Sequence, residues 1–373
     1  MAVEAAEEET RSAGRRGPSR TTVIGVGALA VLLVAAAAVV GVRWWRETHR
    51  SELDRAVALA PASTQRFSWT DWAAVREELG ARVAADSSAD DVEEFLSDAY
   101  DADLSSASAM GESAATLQSE FGFSPADVEW ELLAQSETGS VLVLRLPDSA
   151  DLDALGDTLE ALGYPRPSEA DGVWDGGVDV VPRIAERAGT SLSPQFNAIA
   201  IDADEHLVLA SDSAPYVRDA ARDLPSRIDD EGVRDVVDAV GDPLSASIYT
   251  GDFACRSLAM AQADDVDQAD ADQLLAAAGR VDPLTGFAIA TEAGGGVRVA
   301  MAFEDDGKAR RNADSRSALA SGPAPGQGGD FGDRFDLGQV RAEGRVVTLD
   351  LDPVDDSPVL SDLATGPVLF ATC

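Results

Sequence analysis

The sequence predicts an α+β protein: an N-terminal transmembrane helix, then antiparallel sheet or sheets built from repeated hairpin–helix units with the helices on one face. Three observations predict this class. An uncharged apolar run lies near the N-terminus, and a strand–turn–strand–helix pattern then recurs three times. A hydrophobic content of 45% with 26% charged residues is typical of a globular chain. Because 373 residues exceed what one hydrophobic core usually spans, we expect one or two folded units.

The apolar run Thr21–Val42 carries no charged side chain. As a helix it extends roughly 33 Å, enough to cross a hydrocarbon core of about 30 Å. The Arg-Trp-Trp-Arg sequence at 43–46 is typical of an interfacial anchor. A cleaved signal peptide is the alternative, although its apolar region is normally only about 7–15 residues long. We therefore predict a cytoplasmic tail at 1–20, a transmembrane helix at 21–42 and a juxtamembrane linker at 43–60.

The orientation of this helix does not follow from the arginines, since equal numbers lie on its two sides: Arg11, Arg15, Arg16 and Arg20 before it, and Arg43, Arg46, Arg50 and Arg55 after it. A short N-terminal tail with a long C-terminal domain is the usual geometry of a signal anchor. Two cysteines in the C-terminal half fit a single disulfide in an oxidising compartment. We predict a single-pass cell-membrane protein with a cytoplasmic N-terminus and an extracytoplasmic domain.

After the linker, Asp71–Gly80 is a predicted helix with Asp71 as its N-cap. In each repeated unit two runs of alternating apolar residues flank a turn, and Asp or Ser then caps a helix. The units are strands 130–134 and 141–146 with helix 150–162, strands 196–201 and 207–210 with helix 214–224, and strands 287–291 and 297–303 with helix 307–320. Runs 245–250, 346–351 and 367–372 are predicted to complete the sheets.

A module boundary is predicted near Gly241-Asp242-Pro243, because a helix at 232–240 precedes it and a new strand follows. This divides the outer part into a first α+β module at 61–241 and a second at 242–373. Cys255 and Cys373 both fall in the second module. A disulfide between them constrains the unfolded chain by roughly 4–5 kcal/mol in the loop-entropy model. Two free buried thiols are the alternative.

The charge balance limits the partners of this chain. It has 67 acidic and 29 basic residues, a net charge of −38. This argues against nucleic acid, because duplex binding depends on Lys and Arg neutralising phosphates. An acidic surface of this kind attracts cations and tolerates high salt. The sequence does not distinguish a functional acidic surface from a compositional bias toward Asp, because both give the same excess of acidic residues.

No arrangement of residues predicts catalysis, a cofactor or a metal. His206 is the only His beyond the linker, and it lies in a turn with no Gly-x-Ser-x-Gly motif in the chain. The acidic stretch 264–272 lacks the Gly and terminal Glu of a calcium loop, so we interpret it as a solvated helix face. Asp350 and Asp352 share one face of a strand, a spacing that a glycosidase carboxylate pair can have. No set of sugar-binding residues accompanies them, and the alternation of a half-exposed strand alone explains the pattern. No phosphate-binding loop occurs.

Several of these features together resemble a known layout: the Arg-containing tail, the anchor, Ala60-Pro61-Ala62 before Phe67-Ser68-Trp69, the hairpin–helix units and a Gly366-Pro367 segment ending in Cys373. The layout is similar to that of uncharacterised single-pass exported proteins of high-GC Gram-positive bacteria. The resemblance covers most of residues 50–373 and implies a topology, but it implies no activity.

From the anchor and the folded domain we expect a membrane-tethered extracytoplasmic binding or scaffold protein of the cell envelope. Its expected partners are the lipid bilayer, through one helix, and an envelope protein or a small apolar ligand. The alternative is a metal- or carboxylate-dependent envelope hydrolase. The sequence alone does not identify the ligand.

Overall fold

Eleven strands form one antiparallel sheet in the computed structural model of this protein, which describes residues 50–373 apart from 170–171, 223, 225–229, 259 and 356. The strands are β1 (Arg66–Thr70), β2 (Trp130–Gln135), β3 (Ser140–Arg145), β4 (Trp174–Asp175), β5 (Ala198–Asp202), β6 (Leu207–Ser211), β7 (Ser245–Thr250), β8 (Gly286–Thr291), β9 (Val297–Ala302), β10 (Phe335–Glu343) and β11 (Val346–Pro353). Their order across the sheet is β10-β11-β9-β8-β7-β1-β2-β3-β6-β5-β4.

Twelve α-helices accompany the sheet within the described residues. They are α1 (Glu52–Val57), α2 (Trp72–Glu78), α3 (Ala89–Asp101), α4 (Ala114–Thr116), α5 (Leu152–Leu162), α6 (Gly177–Ala188), α7 (Ala214–Arg222), α8 (Glu231–Val240), α9 (Gly251–Ser257), α10 (Asp265–Ala278), α11 (Asp306–Leu319) and α12 (Val359–Ala364). Most begin at a polar cap, as Asp71 shows by accepting a hydrogen bond from the Ala74 amide.

The strand order is the same in the two halves of the sheet. It runs β1-β2-β3-β6-β5 in one direction from the centre and β7-β8-β9-β11-β10 in the other. Strands β1 and β7 pair with each other at the centre, with Ser68 opposite Ser247. Residues 51–373 together form one compact unit, and the division into modules 61–241 and 242–373 stays a prediction.

The prediction that the helices pack on one face of the sheet is wrong, because both faces are covered. On the first face, Phe67, Trp69 and Ala288 pack with α1, α7 and α8. On the second face, the strands pack with α2, α3, α5 and α6 in one half and with α9, α10, α11 and α12 in the other. Side chains of adjacent strand residues point to opposite faces, so a strand such as β8 is buried at all six of its positions.

The predicted hairpin–helix units are confirmed, with boundaries shifted by a few residues. They are β2-β3-α5, β5-β6-α7 and β8-β9-α11, and β10-β11-α12 adds a fourth. The predicted strand at 367–372 is wrong: this run forms a 3₁₀ turn at Leu369–Ala371, buried against the core of the second half.

The predicted anchor at 21–42 lies outside the described residues. Among the helices within the described part of the chain, none has the length and apolar character needed to cross a membrane.

Candidate functional site

An open polar cleft of about 580 Å³ lies at the ends of the central strands. Its walls come from four separate parts of the chain, residues 62–65, 230–232, 250–252 and 284–285. These are the segment before β1, the start of α8, the end of β7 with the start of α9, and the segment before β8. We call this feature the strand-end cleft.

Close contacts between backbones hold the walls of the strand-end cleft in place. A Cβ atom at Gly232 would lie 2.0 Å from the Thr285 carbonyl oxygen, and one at Gly251 would lie 2.1 Å from the Leu284 carbonyl oxygen. The Gly251 amide donates a hydrogen bond of 3.1 Å to the Thr285 carbonyl. Only glycine permits such an approach, so α8 and α9 both begin against the same short segment of backbone.

The polar side chains of the cleft include three carboxylates, Asp230, Glu231 and Asp252. Asp230 accepts from the Val233 amide at 3.0 Å and caps α8, while Glu231 binds Arg345 at 2.8 Å. The Arg345 guanidinium therefore lowers the pKa of Glu231. Asp252 is exposed in the first turn of α9. The Thr64 hydroxyl is buried with no hydrogen-bond partner among the described residues.

These residues can hold a partner that presents N–H or O–H donors. A buried hydroxyl without a partner loses hydration energy that a bound polar group restores. The carboxylates of the cleft add a preference for positive charge, although the N-termini of α8 and α9 offset part of it. No His, Lys or Cys lines the described walls.

A second unusual feature is a row of polar side chains on the second face, where the two cores of that face meet. Glu131 lies opposite Thr70, Thr70 opposite Ser245, and Ser245 opposite Thr291, on β2, β1, β7 and β8. All four residues are buried. Oxygen atoms of Glu131, Thr70 and Thr291 have no partner among the described residues. We call these four residues the buried polar row.

Glu131 is the ionisable member of the buried polar row. Its Oε1 atom accepts a hydrogen bond of 3.0 Å from the Ala109 amide, and its Oε2 atom has no hydrogen bond within the described part of the chain. Burial raises the pKa of Glu131 to about 7, although hydrogen bonding by Ser108 and Ala109 and the nearby Trp72 indole lower it in part. The indole nitrogen itself is not in hydrogen-bonding geometry with any described group.

The predicted disulfide between Cys255 and Cys373 is present, and its Cα atoms are 5.5 Å apart. It joins α9 to the last residue across 118 positions of sequence. Arg316 holds the same segment, because its guanidinium donates hydrogen bonds of 2.6 Å to the carbonyls of Phe370 and Thr372. Burial lowers the pKa of Arg316 to about 9, so the guanidinium remains charged at neutral pH.

The other residues considered in the sequence lie apart from the strand-end cleft. His206 is half-buried in the turn between β5 and β6 with a positive φ of 50°. The acidic stretch at 264–272 forms the capped start of α10. Asp350 binds Arg298 at 3.0 Å and Arg341 at 3.2 Å, while Asp352 is exposed. Within the described part of the chain, no group of three or more His, Cys, Asp or Glu side chains is placed to hold a metal ion.

Local sequence patterns do not predict the strand-end cleft or the burial of Glu131 and Arg316. The cleft joins four segments that are distant in sequence, and local patterns do not show such a meeting. Glu131 had a local signal, because it is the one acidic residue in the strand Trp130–Gln135. The structure buries it together with most of that strand. Arg316 looks like any other polar residue of α11, because only the tertiary contacts bury it.

No protein-family model, no curated protein and no solved structure matches the chain.

Proposed function

We propose that this chain is a membrane-tethered extracytoplasmic binding or scaffold protein of the cell envelope, and that its partner occupies the strand-end cleft. The membrane tether is the predicted helix at 21–42. The disulfide between Cys255 and Cys373 supports an oxidising location, because such bonds persist outside the cytoplasm.

The observation that carries the binding role is the strand-end cleft itself. It is large enough for a side chain or small ligand, and one of its wall residues is Thr64, whose buried hydroxyl has no partner among the described residues. Its polar lining with three carboxylates supports a partner with N–H or O–H donors rather than the small apolar ligand that the sequence alone suggests. We therefore propose an envelope protein that places a polar or basic side chain in the cleft.

A photo-crosslinking amino acid at Asp252 tests this role in the full-length chain in native membranes. Asp252 is an exposed residue of the cleft, and Val178 on α6, which is 77% exposed, is the matched control position. We expect one envelope protein to be captured reproducibly from position 252 and not from position 178. Thr64→Val should reduce that capture, because valine keeps the shape of threonine without its hydroxyl. The same capture from both positions, or crosslinks only within the chain, would contradict the proposal.

A further inference from the structure

Strand β10 forms one edge of the sheet and, among the described strands, pairs only with β11. Its nine residues are mostly exposed, and an edge of this length presents unpaired backbone N–H and C=O groups to any matching strand. The opposite edge is formed by β4, which has only two residues. The long edge is therefore the one available for pairing.

The register of β10 with β11 determines which face each side chain occupies. Leu337 lies opposite Leu351 and Val340 opposite Leu349, so both point to the second face and pack against its core. Two residues, Gly338 and Gln339, lie between them as a bulge against the single residue Asp350. The bulge changes the alternation, and both Asp336 and Arg341 consequently point to the first face, opposite Asp352 and Thr348.

The charged residues along this edge differ in whether they have an ion-pair partner among the described residues. Asp336 lies directly opposite Asp352, and like charges in this position repel. Both side chains are exposed, and neither has an ion pair among the described residues. Arg341 lies at the other end of the strand and is 46% exposed, with Asp350 as its only ion-pair partner in the described part of the chain.

We propose that β10 pairs antiparallel with β10 of a second copy of this chain, with the two-fold axis between Gly338 and Gln339. This register places Asp336 opposite Arg341 of the second copy and Leu337 opposite Val340 of the second copy, twice each by symmetry. The arginine of the second copy relieves the repulsion between Asp336 and Asp352, and the leucine–valine contact continues the core of the second face.

The bulge fits this register. Each copy contributes Gly338 and Gln339 at the axis, so two residues face two residues and no position is left over. The large net negative charge of the chain opposes association only weakly, because salt screens charges that lie further apart than the Debye length. That length is about 8 Å at physiological ionic strength. Neighbouring pairs such as Asp336 with Arg341 therefore dominate at the contact.

Cysteine crosslinking in cells that express two tagged full-length copies tests the register. One copy carries Leu337→Cys and the other Val340→Cys. Directly opposed residues of antiparallel strands have Cα atoms about 4.5–5.5 Å apart, within the range of a disulfide. The control pair is Leu337→Cys with Glu343→Cys, in which the second thiol is displaced by about 10 Å along the strand. We expect at least about ten times more crosslinked dimer from the first pair than from the control.

Charge variants test the ion pair in the same assay. Asp336→Arg should reduce the crosslinked fraction about fivefold by facing Arg341 of the second copy, and the double variant Asp336→Arg/Arg341→Asp should restore it. The Asp336→Arg variant leaves the ion pair between Arg341 and Asp350 intact, so it is informative even if the double variant folds poorly. Equal crosslinking in the test and control pairs, or none in either, would overturn the proposal and leave the bulge as protection of a free edge.

Discussion

The buried carboxyl of Glu131 gives a prediction about stability and pH. Its pKa is about 7 in the folded protein against an ordinary value of 4.5. The raised pKa means that the folded state binds the proton more tightly than the unfolded state does. Its contribution to stability is therefore complete below pH 4.5 and is lost as the pH rises through 7. At 1.36 kcal/mol per pKa unit, the free energy of unfolding should fall by about 2 to 3 kcal/mol between pH 5 and pH 8 from this group.

The variant Glu131→Gln should remove that loss, because glutamine has almost the same shape and does not titrate. The measurement is urea unfolding of residues 51–373 at several pH values from 5 to 8, with the disulfide intact. Glu77→Gln is the control, since Glu77 is exposed on α2. The difference in unfolding free energy between wild type and Glu131→Gln should change by about 2 to 3 kcal/mol over this range. If the two proteins keep the same pH profile, Glu131 is already ionised in the fold and the reasoning fails.

Three further predictions concern the parts that hold the fold together, each measured by urea unfolding. Cys255→Ser should reduce the unfolding free energy by roughly 4 kcal/mol, and reduction of the wild-type disulfide should have the same effect. Arg316→Met should cost about 3 to 5 kcal/mol by leaving buried carbonyls without donors, and its effect should be less than additive with Cys255→Ser, since both groups hold the segment before Cys373. Gly232→Ala should cost about 3 kcal/mol, whereas Gly296→Ala, with no described atom within 4 Å of the added Cβ, should be nearly neutral.

The local patterns of the sequence were sufficient for the hairpins and helices of the repeated units. Alternating apolar residues and acidic caps act over a few neighbouring residues, and those interactions are the same in the fold. Strand β10 was missed because it lies at an edge, exposed for most of its length, and because the bulge at Gly338 interrupts its alternation. The run 367–372 was wrongly predicted as a strand, since a short apolar run that is buried on all sides has no distinctive period.

The sequence carries a signal for helices on both faces of the sheet, but it is weaker than the signals for the hairpins. In β8 the residues Phe287 and Ile289 alternate with Ala288 and Ala290, so both faces are apolar and both must be covered. Local sequence patterns do not predict the strand-end cleft, for a different reason. The strand-end cleft forms where glycines at 232 and 251 allow two helix starts to touch one backbone segment, and this long-range contact has no periodicity.

We propose that residues 51–373 lie outside the cytoplasm, and the labelling of a surface thiol in intact cells shows whether they do. Val178→Cys in the full-length chain supplies an exposed thiol, while the two native cysteines are joined to each other. A membrane-impermeant maleimide added to intact cells should label this variant as fully as it does after lysis. Labelling that occurs only after lysis would place the domain in the cytoplasm and contradict the proposed function.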